Sequence, residues 1–310
     1  MDGLPQRLSP ATNAVAQHTL KTSIGCVGVG LHSGCRVRLT LRSADPGHGI
    51  VFRRVDLGRD IPARFDRVVD SRLSTTLANA VDPGCRVGTV EHVMAALAGV
   101  GIDNALIELD GPEPPILDGS ASPYVFLIDC AGSVAQSAPR RVMEILRPIR
   151  VTDGEASVEL RPCSAFDGFE MTLSIEFAVA AIGQQSVALR FTPESFRHQL
   201  SRARTFALAE DVTRLRDAGL AQGGSLDNAV VVDQSRILNP GGLRMPDEFA
   251  CHKLLDAVGD LALAGAALRG HFIAHRSGHA LNNRLLHATF ADPSAWRMTE
   301  GVIEPATAAA

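Results

Sequence analysis

Residues 87–109 read VGTVEHVMAALAGVGIDNALIEL. Val90, Val93, Met94 and Leu97 recur at helical spacing and make one apolar stripe, so the run predicts a helix over Val87 to Ala98. Gly99 and Gly101 stop it, and the apolar Ala105 to Leu109 follows at once as a strand. Residues 248–275, EFACHKLLDAVGDLALAGAALRGHFIAH, repeat the pattern with different letters. A stripe of Leu254, Leu255, Val258, Leu261 and Ala262 predicts a helix from Glu248 to Ala264, a stop near Gly265 and a strand around His271 to His275. A His-bearing helix, a glycine stop and a strand thus occur twice. The parallel implies an α+β fold of two similar domains, each a β-sheet with helices packed on one face, the helical layers facing each other.

Outward from these runs the punctuation fits two units. Glycines 25, 28, 30 and 34 among Val, Leu and Cys, then the alternating Val37, Leu39 and Leu41, read as strands and turns. Asp110-Gly111-Pro112 and Pro114-Pro115 mark a loop, Asp118-Gly119-Ser120 a tight turn, and Pro123 to Cys130 another helix. Gly132 to Pro139 is polar and small and is expected to be the boundary, giving an N-terminal domain over 14–135 and a C-terminal domain over 140–300. Beyond it, strands are expected at Val142 to Leu146, Val158 to Leu160 and Met171 to Ile175, and a Pro193-initiated helix to Leu200.

With 310 residues, 45% of them hydrophobic, the chain can bury a full core. A formal charge of -4 and no long run of one sign argue against coating a nucleic acid duplex. The polar run Met1 to Gln17 has no basic segment followed by an apolar core, and stretches such as Leu261 to Leu268 are too short to span a bilayer, so no transmembrane segment and a cytoplasmic location are expected. The six cysteines include no C-x-x-C pair and are expected to be reduced thiols, mostly buried. Metal ligands must then come from nitrogen and oxygen.

On the second helix His252 and Asp256 are four apart and leave one face a turn from each other, where they can share a metal; an ordinary helical hydrogen-bonded pair has the same spacing. Asp260 extends that edge. A catalytic zinc takes three protein ligands and keeps a position open for water. His92 offers the third, and Glu91 beside it a carboxylate to accept a proton, although a glutamate at a helix start also serves the helix dipole. Ser277-Gly278 reads as a turn that puts His279 at a helix N-terminus. His271, His275 and His279 share a spacing of four, but the strand-turn-helix break removes helical periodicity there, so they are not read as a metal set. Thr205 offers a hydroxyl to an oxyanion, or acts only as a cap or turn residue.

Together these segments resemble the UDP-3-O-acyl-N-acetylglucosamine deacetylase family, zinc enzymes of lipid A synthesis. The resemblance is carried by 28-GVGLHSG-34, 89-TVEH-92, 101-GIDN-104, 117-LDGS-120, 204-RTF-206, 223-GGS-225, His252-Lys253 with Asp256, Gly259-Asp260 and 277-SGHALNN-283, in family order from about Ala14 to Leu286. It implies zinc on His92, His252 and Asp256, Glu91 as general base, Thr205 and a protonated His279 against the oxyanion, and Asp260 holding His279. The ligand set suits Fe2+ as well as Zn2+. Lys253, one residue after His252, points about 100° round the helix from it, and the resemblance implies that it meets the nucleotide of an acylated UDP-sugar.

The resemblance further implies a small insert in each domain. The second, about Arg204 to Val232, lines a passage for the substrate's acyl chain, with Phe206, Leu208, Val212, Leu226 and Val231 as apolar lining and Gly224 leaving room. Leu226 stands where some relatives carry an aromatic, and Ala78 to Arg86 departs from the family pattern. A monomer is expected.

Overall fold

The computed structural model describes residues 15–163 and 168–300. The N-terminal run therefore lies outside the described residues as far as position 14, including the first position of the expected N-terminal domain. The first half runs β1 (Ala16–Leu20), β2 (Ile24–Val29), β3 (Arg36–Ser43), β4 (Ile50–Arg54), β5 (Arg59–Pro62), β6 (Val68–Asp70), β7 (Thr76–Ala78), β8 (Arg86–Val87), α1 (Glu91–Val100), β9 (Ala105–Leu109), α2 (Ser122–Ala131) and β10 (Ser133–Pro139). The second runs β11 (Arg141–Ile145), β12 (Ile149–Asp153), β13 (Ala156–Arg161), β14 (Phe169–Glu176), β15 (Gln184–Arg190) and α3 (Pro193–Ser195), which continues as a wider turn to Leu200. After it come β16 (Phe206–Leu208), α4 (Ala209–Asp217), β17 (Val230–Asp233), β18 (Arg236–Ile237), α5 (Glu248–Ala262), β19 (Ala267–His275), α6 (His279–Ala291) and β20 (Trp296–Glu300).

The duplication holds at the level of strand pairing. The first half forms a sheet in the order β2-β3-β9-β4-β5, with β4 and β9 parallel and the other neighbours antiparallel. The second half pairs β12-β13-β19-β14-β15 with the same senses, β14 and β19 being the parallel pair. Even the flanking strands correspond. β1 pairs β10 antiparallel and bridges to Asn104 just before β9, while β11 pairs β20 antiparallel and the start of β19 in parallel. Each unit also carries a small three-stranded sheet before its first long helix, β6-β7-β8 in one and β16-β17-β18 in the other.

Alternating residues of the sheets supply the core: Leu39, Leu41, Phe52, Ile107 and Leu109 from one, Leu160, Met171, Leu173 and Phe272 from the other. Between them α1 and α5 pack along each other, buried over most of their length. Glycine sets how closely they approach. A Cβ at Gly259 of α5 would stand 2.0 Å from the Glu91 carbonyl oxygen of α1, while on another side of α1 one at Gly99 would stand 2.2 Å from the Phe196 ring of the turn after α3. The close crossing fixes α1 against α5 at the height of their polar residues.

Two expectations are corrected, on the first helix and on the cysteines. The first helix starts at Glu91, not Val87, because Val87 pairs with Leu77 in β8 and Thr89 turns the chain at φ 50°. Within the polar segment Gly132 to Pro139, where the domain boundary is expected, Ser133–Pro139 forms a strand paired with β1. Its small polar residues are exposed, so no apolar alternation announces it. The cysteines are free, but only Cys85 and Cys251 are buried, while Cys35 and Cys130 are exposed.

Candidate active site

Glu91 and His92 are the first two residues of α1, where the helix dipole favours a carboxylate. The chain reaches them through the left-handed Thr89, a costly conformation for a β-branched residue. Thr89 is held by its hydroxyl, which donates to Glu113 at 2.6 Å. The buried Glu113 also accepts from the backbone N–H groups of His32 and Ser33 and from the Ser33 hydroxyl. One carboxylate thus ties the loop 30–34 to the turn that launches α1.

From α5, His252 and Asp256 face His92 across the helix crossing. One donor atom from each of the three lies within 4.8 Å of the others. Asp256 Oδ1 is 3.3 Å from His252 Nε2 and 3.6 Å from His92 Nε2, and the two rings meet edge-on with centroids 5.1 Å apart. The Ala203 carbonyl lies 3.0 Å from His252 Nδ1, which sets the proton there and turns the Nε2 lone pair inward. Burial pushes the His252 pKa down to about 4, so it is a neutral donor. Burial raises the Asp256 carboxyl, but His252 and Lys253 outweigh it and hold it well below the usual range.

These residues fit a metal on an observation independent of motif. Asp256 Oδ1 is buried and has no hydrogen-bond partner among the described residues, and a buried carboxylate oxygen needs a donor or a cation. Two imidazole nitrogens and a carboxylate oxygen are a donor set for Zn2+ or Fe2+.

Glu91 and His279 stand beside this set. His279 opens α6, with Nε2 3.9 Å from both Glu91 Oε1 and Asp256 Oδ2. Its Nδ1 is 2.9 Å from Asp260 Oδ2, which also accepts from Asn282 at 2.8 Å. Burial lowers the His279 pKa, but Asp260 and Glu91 raise it further, to about 9, so the ring is cationic at neutral pH. Burial raises Glu91 more than His279 and His92 lower it, leaving a carboxylate of increased basicity.

Thr205 lies two residues past the carbonyl that orients His252. Its N–H donates to the Gly119 carbonyl at 2.8 Å, its own carbonyl accepts from Val230, and its hydroxyl has no partner among the described residues. Phe206 packs edge-on against Phe249 and against the His252 ring, at centroid distances of 4.9 and 6.3 Å. Leu208 and Val231 lie on β16 and β17, and Val212 on α4, which packs over both strands. Leu226 is exposed. Among the insert's glycines, Gly223 makes a close backbone approach, since a Cβ there would stand 2.2 Å from the Gly30 carbonyl oxygen. The small sheet here is completed by β18, whose Ile237 pairs with Val232. Lys253, one residue past His252, puts its Nζ 3.0 Å from Asp256 Oδ2. His271 and His275 bond to Thr172 and Ser174, away from the cluster. A cavity of about 290 Å³ at the other ends of α1 and α5, lined by Leu97, Ile102, Phe169 and Leu261, contains none of these groups.

The segment before Thr205 is clamped by a buried ion pair. Arg204 donates to both carboxylate oxygens of Glu248, the first residue of α5, and the Arg244 N–H donates to the same carboxylate. Burial raises the Glu248 carboxyl, but these donors outweigh it and hold it below its ordinary value. A depressed folded pKa means stability that is present above the unfolded value, about 4.3, and is lost as pH falls through the folded one. Glu248→Gln is therefore expected to lower stability at pH 7 by about 3 kcal/mol. In urea titrations the gap from the unsubstituted protein should narrow steadily below about pH 4.3. A gap that stayed constant into acid would remove the charge of Glu248 as its cause.

A duplicated α+β unit that brings two imidazoles, a carboxylate, a basic glutamate and a cationic histidine together between its helices defines a metal-dependent hydrolase. Residues 17–291 match the sequence profile of the family described as UDP-3-O-acyl N-acetylglycosamine deacetylase, and the chain belongs to that family. It is 51% identical over 284 residues to the UDP-3-O-acyl-N-acetylglucosamine deacetylase of Myxococcus xanthus, covering 91% of this chain and 88% of that protein. Proteins of the same name from Idiomarina loihiensis and Acidithiobacillus ferrooxidans are 50% and 49% identical, covering 95% and 92% of this chain and 96% and 93% of their own. Among the described residues no helix is long and apolar enough to cross a membrane.

Proposed function

We propose that this chain hydrolyses the acetamide of UDP-3-O-acyl-N-acetylglucosamine, giving acetate and UDP-3-O-acyl-glucosamine, the committed step of lipid A synthesis. One observation carries the reading: a buried His-His-Asp donor set with an orphaned carboxylate oxygen, flanked by Glu91 and His279, in a member of this family. His92, His252 and Asp256 would hold the metal ion, which when bound would supply Lewis acidity and make water at the centre more acidic. Glu91 accepts the proton of the attacking water. The Thr205 hydroxyl donates to the oxygen on which negative charge develops as the carbonyl carbon turns tetrahedral. Cationic His279, held by Asp260, stabilises that charge and gives a proton to the departing amine, so hydrolysis ends with acetate and a free amine. Lys253 is assigned to the nucleotide phosphates. Phe206, Leu208, Val212, Gly224, Leu226 and Val231 are assigned to the acyl chain.

The test is acetate release measured with metal content. About one metal per chain is expected, with release from UDP-3-O-acyl-N-acetylglucosamine that stops on chelation and returns with Zn2+, Fe2+ being compared alongside. Faster hydrolysis of an unrelated acyl amide or ester would overturn the substrate while leaving a metal hydrolase.

A further inference from the structure

Glu91 and Asp260 belong to different units of the duplication, and both reach the same residue. Thr75, in the segment joining β6 to β7, is 2% exposed. Its backbone N–H donates to Glu91 Oε2 at 3.0 Å, and its carbonyl accepts from the N–H of Val90 at 3.2 Å. Its hydroxyl lies 2.5 Å from Asp260 Oδ1. An ionised carboxylate only accepts, so the hydroxyl donates. Asp260 Oδ1 thus bonds to Thr75, while Oδ2 accepts from His279 and Asn282.

We propose that Thr75 is a positioning residue that sets Glu91 and the Asp260–His279 pair in one register across the two units. Its N–H holds one oxygen of Glu91 and leaves Oε1 as the oxygen on the His279 side. Its hydroxyl fixes the rotation of the Asp260 carboxylate, and with it the direction in which His279 presents Nε2. A carboxylate held at one oxygen only is free to twist about its Cβ–Cγ bond, and His279 would follow. The inference rests on Glu91 and His279 acting as base and acid.

Thr75→Val removes the hydroxyl, keeps the shape and retains the backbone N–H to Glu91. Its kcat should fall by about 10- to 100-fold, the usual loss when the partner of an active-site group is removed. KM for the acylated sugar nucleotide and metal content should stay unchanged. Thr75→Ser, which restores the donor, should recover most of the rate. In metal-free protein, the Nδ1–H proton resonance of His279 should shift or broaden in Thr75→Val and return in Thr75→Ser. Full kcat in Thr75→Val, an unmoved His279 resonance, or a Thr75→Ser variant as slow as Thr75→Val would overturn the proposal. Parallel loss of metal and rate would do so too, by reducing Thr75 to packing. Glu91→Gln and His279→Gln run alongside separate the two levels, since activity in those variants would sink the base and acid assignments whatever Thr75 does.

Discussion

Glu91→Gln is expected to lower kcat by about two to four orders of magnitude, the range a positioned general base contributes, with bound metal retained. The three donor atoms belong to His92, His252 and Asp256, and none belongs to Glu91. Glutamine is the informative substitution because its carbonyl oxygen still accepts from the Thr75 N–H, which alanine would leave buried and unpaired at a cost of about 1–3 kcal/mol. Burial raises the basicity of Glu91, so the native group takes a proton more readily than an exposed carboxylate, and the amide has no such capacity. KM should move little, since the lost interaction is made as the proton transfers. Metal analysis and steady-state rates on one preparation decide the matter. A fully active variant would remove Glu91 as the base.

How much of this site the sequence discloses depends on the distance along the chain over which each contact is made. His252 and Asp256 declare themselves by helical spacing, and Glu91-His92 by adjacency at a helix start. The link from Asp260 to His279 spans 19 residues, and the order of motifs was enough to suggest it. Thr75 reaches Asp260 across 185 residues, and Glu113 reaches His32 across 81. Neither stands in a pattern, because a buried hydroxyl or carboxylate chosen for a long-range bond leaves no periodic trace. The flanking loop signals Asp110-Gly111-Pro112 and Pro114-Pro115 mark the place of Glu113 but not its task. Similarly, helical periodicity extends back through Val90, while the true start is set by Thr89 at positive φ and by the pairing of Val87 in β8, both tertiary facts.

The duplication was legible as a pattern, and the sheets extend it to every pairing sense. The site, however, breaks the symmetry. On α1 the chemistry sits in the first turn, whereas on α5 it begins a turn in, at His252, and continues to Asp260. Gly259 explains how the offset works. Its missing side chain lets the Glu91 backbone rest on α5 between Asp256 and Asp260, so the start of one helix meets the middle of the other. Two equivalent elements thus contribute different groups to one centre.

His279→Ala is the second large loss expected, about 10²- to 10³-fold in kcat, as for removal of a charged group that stabilises an oxyanion. Geometry separates it from a ligand substitution. Nδ1 of His279 is engaged by Asp260, and Nε2 stands 3.9 Å from the carboxylates of Asp256 and Glu91, outside the set that His92, His252 and Asp256 close among themselves. Metal content should therefore fall far less than turnover. The fold should survive as well, because Asp260 keeps its bonds from Thr75 and Asn282 and is not left a bare buried charge. Asp256→Ala serves as the contrast, since it removes a donor atom and should take metal and activity away together. If His279→Ala instead lost both in equal proportion, His279 would be a fourth ligand, and the protonation of the departing amine would have to come from Glu91 alone.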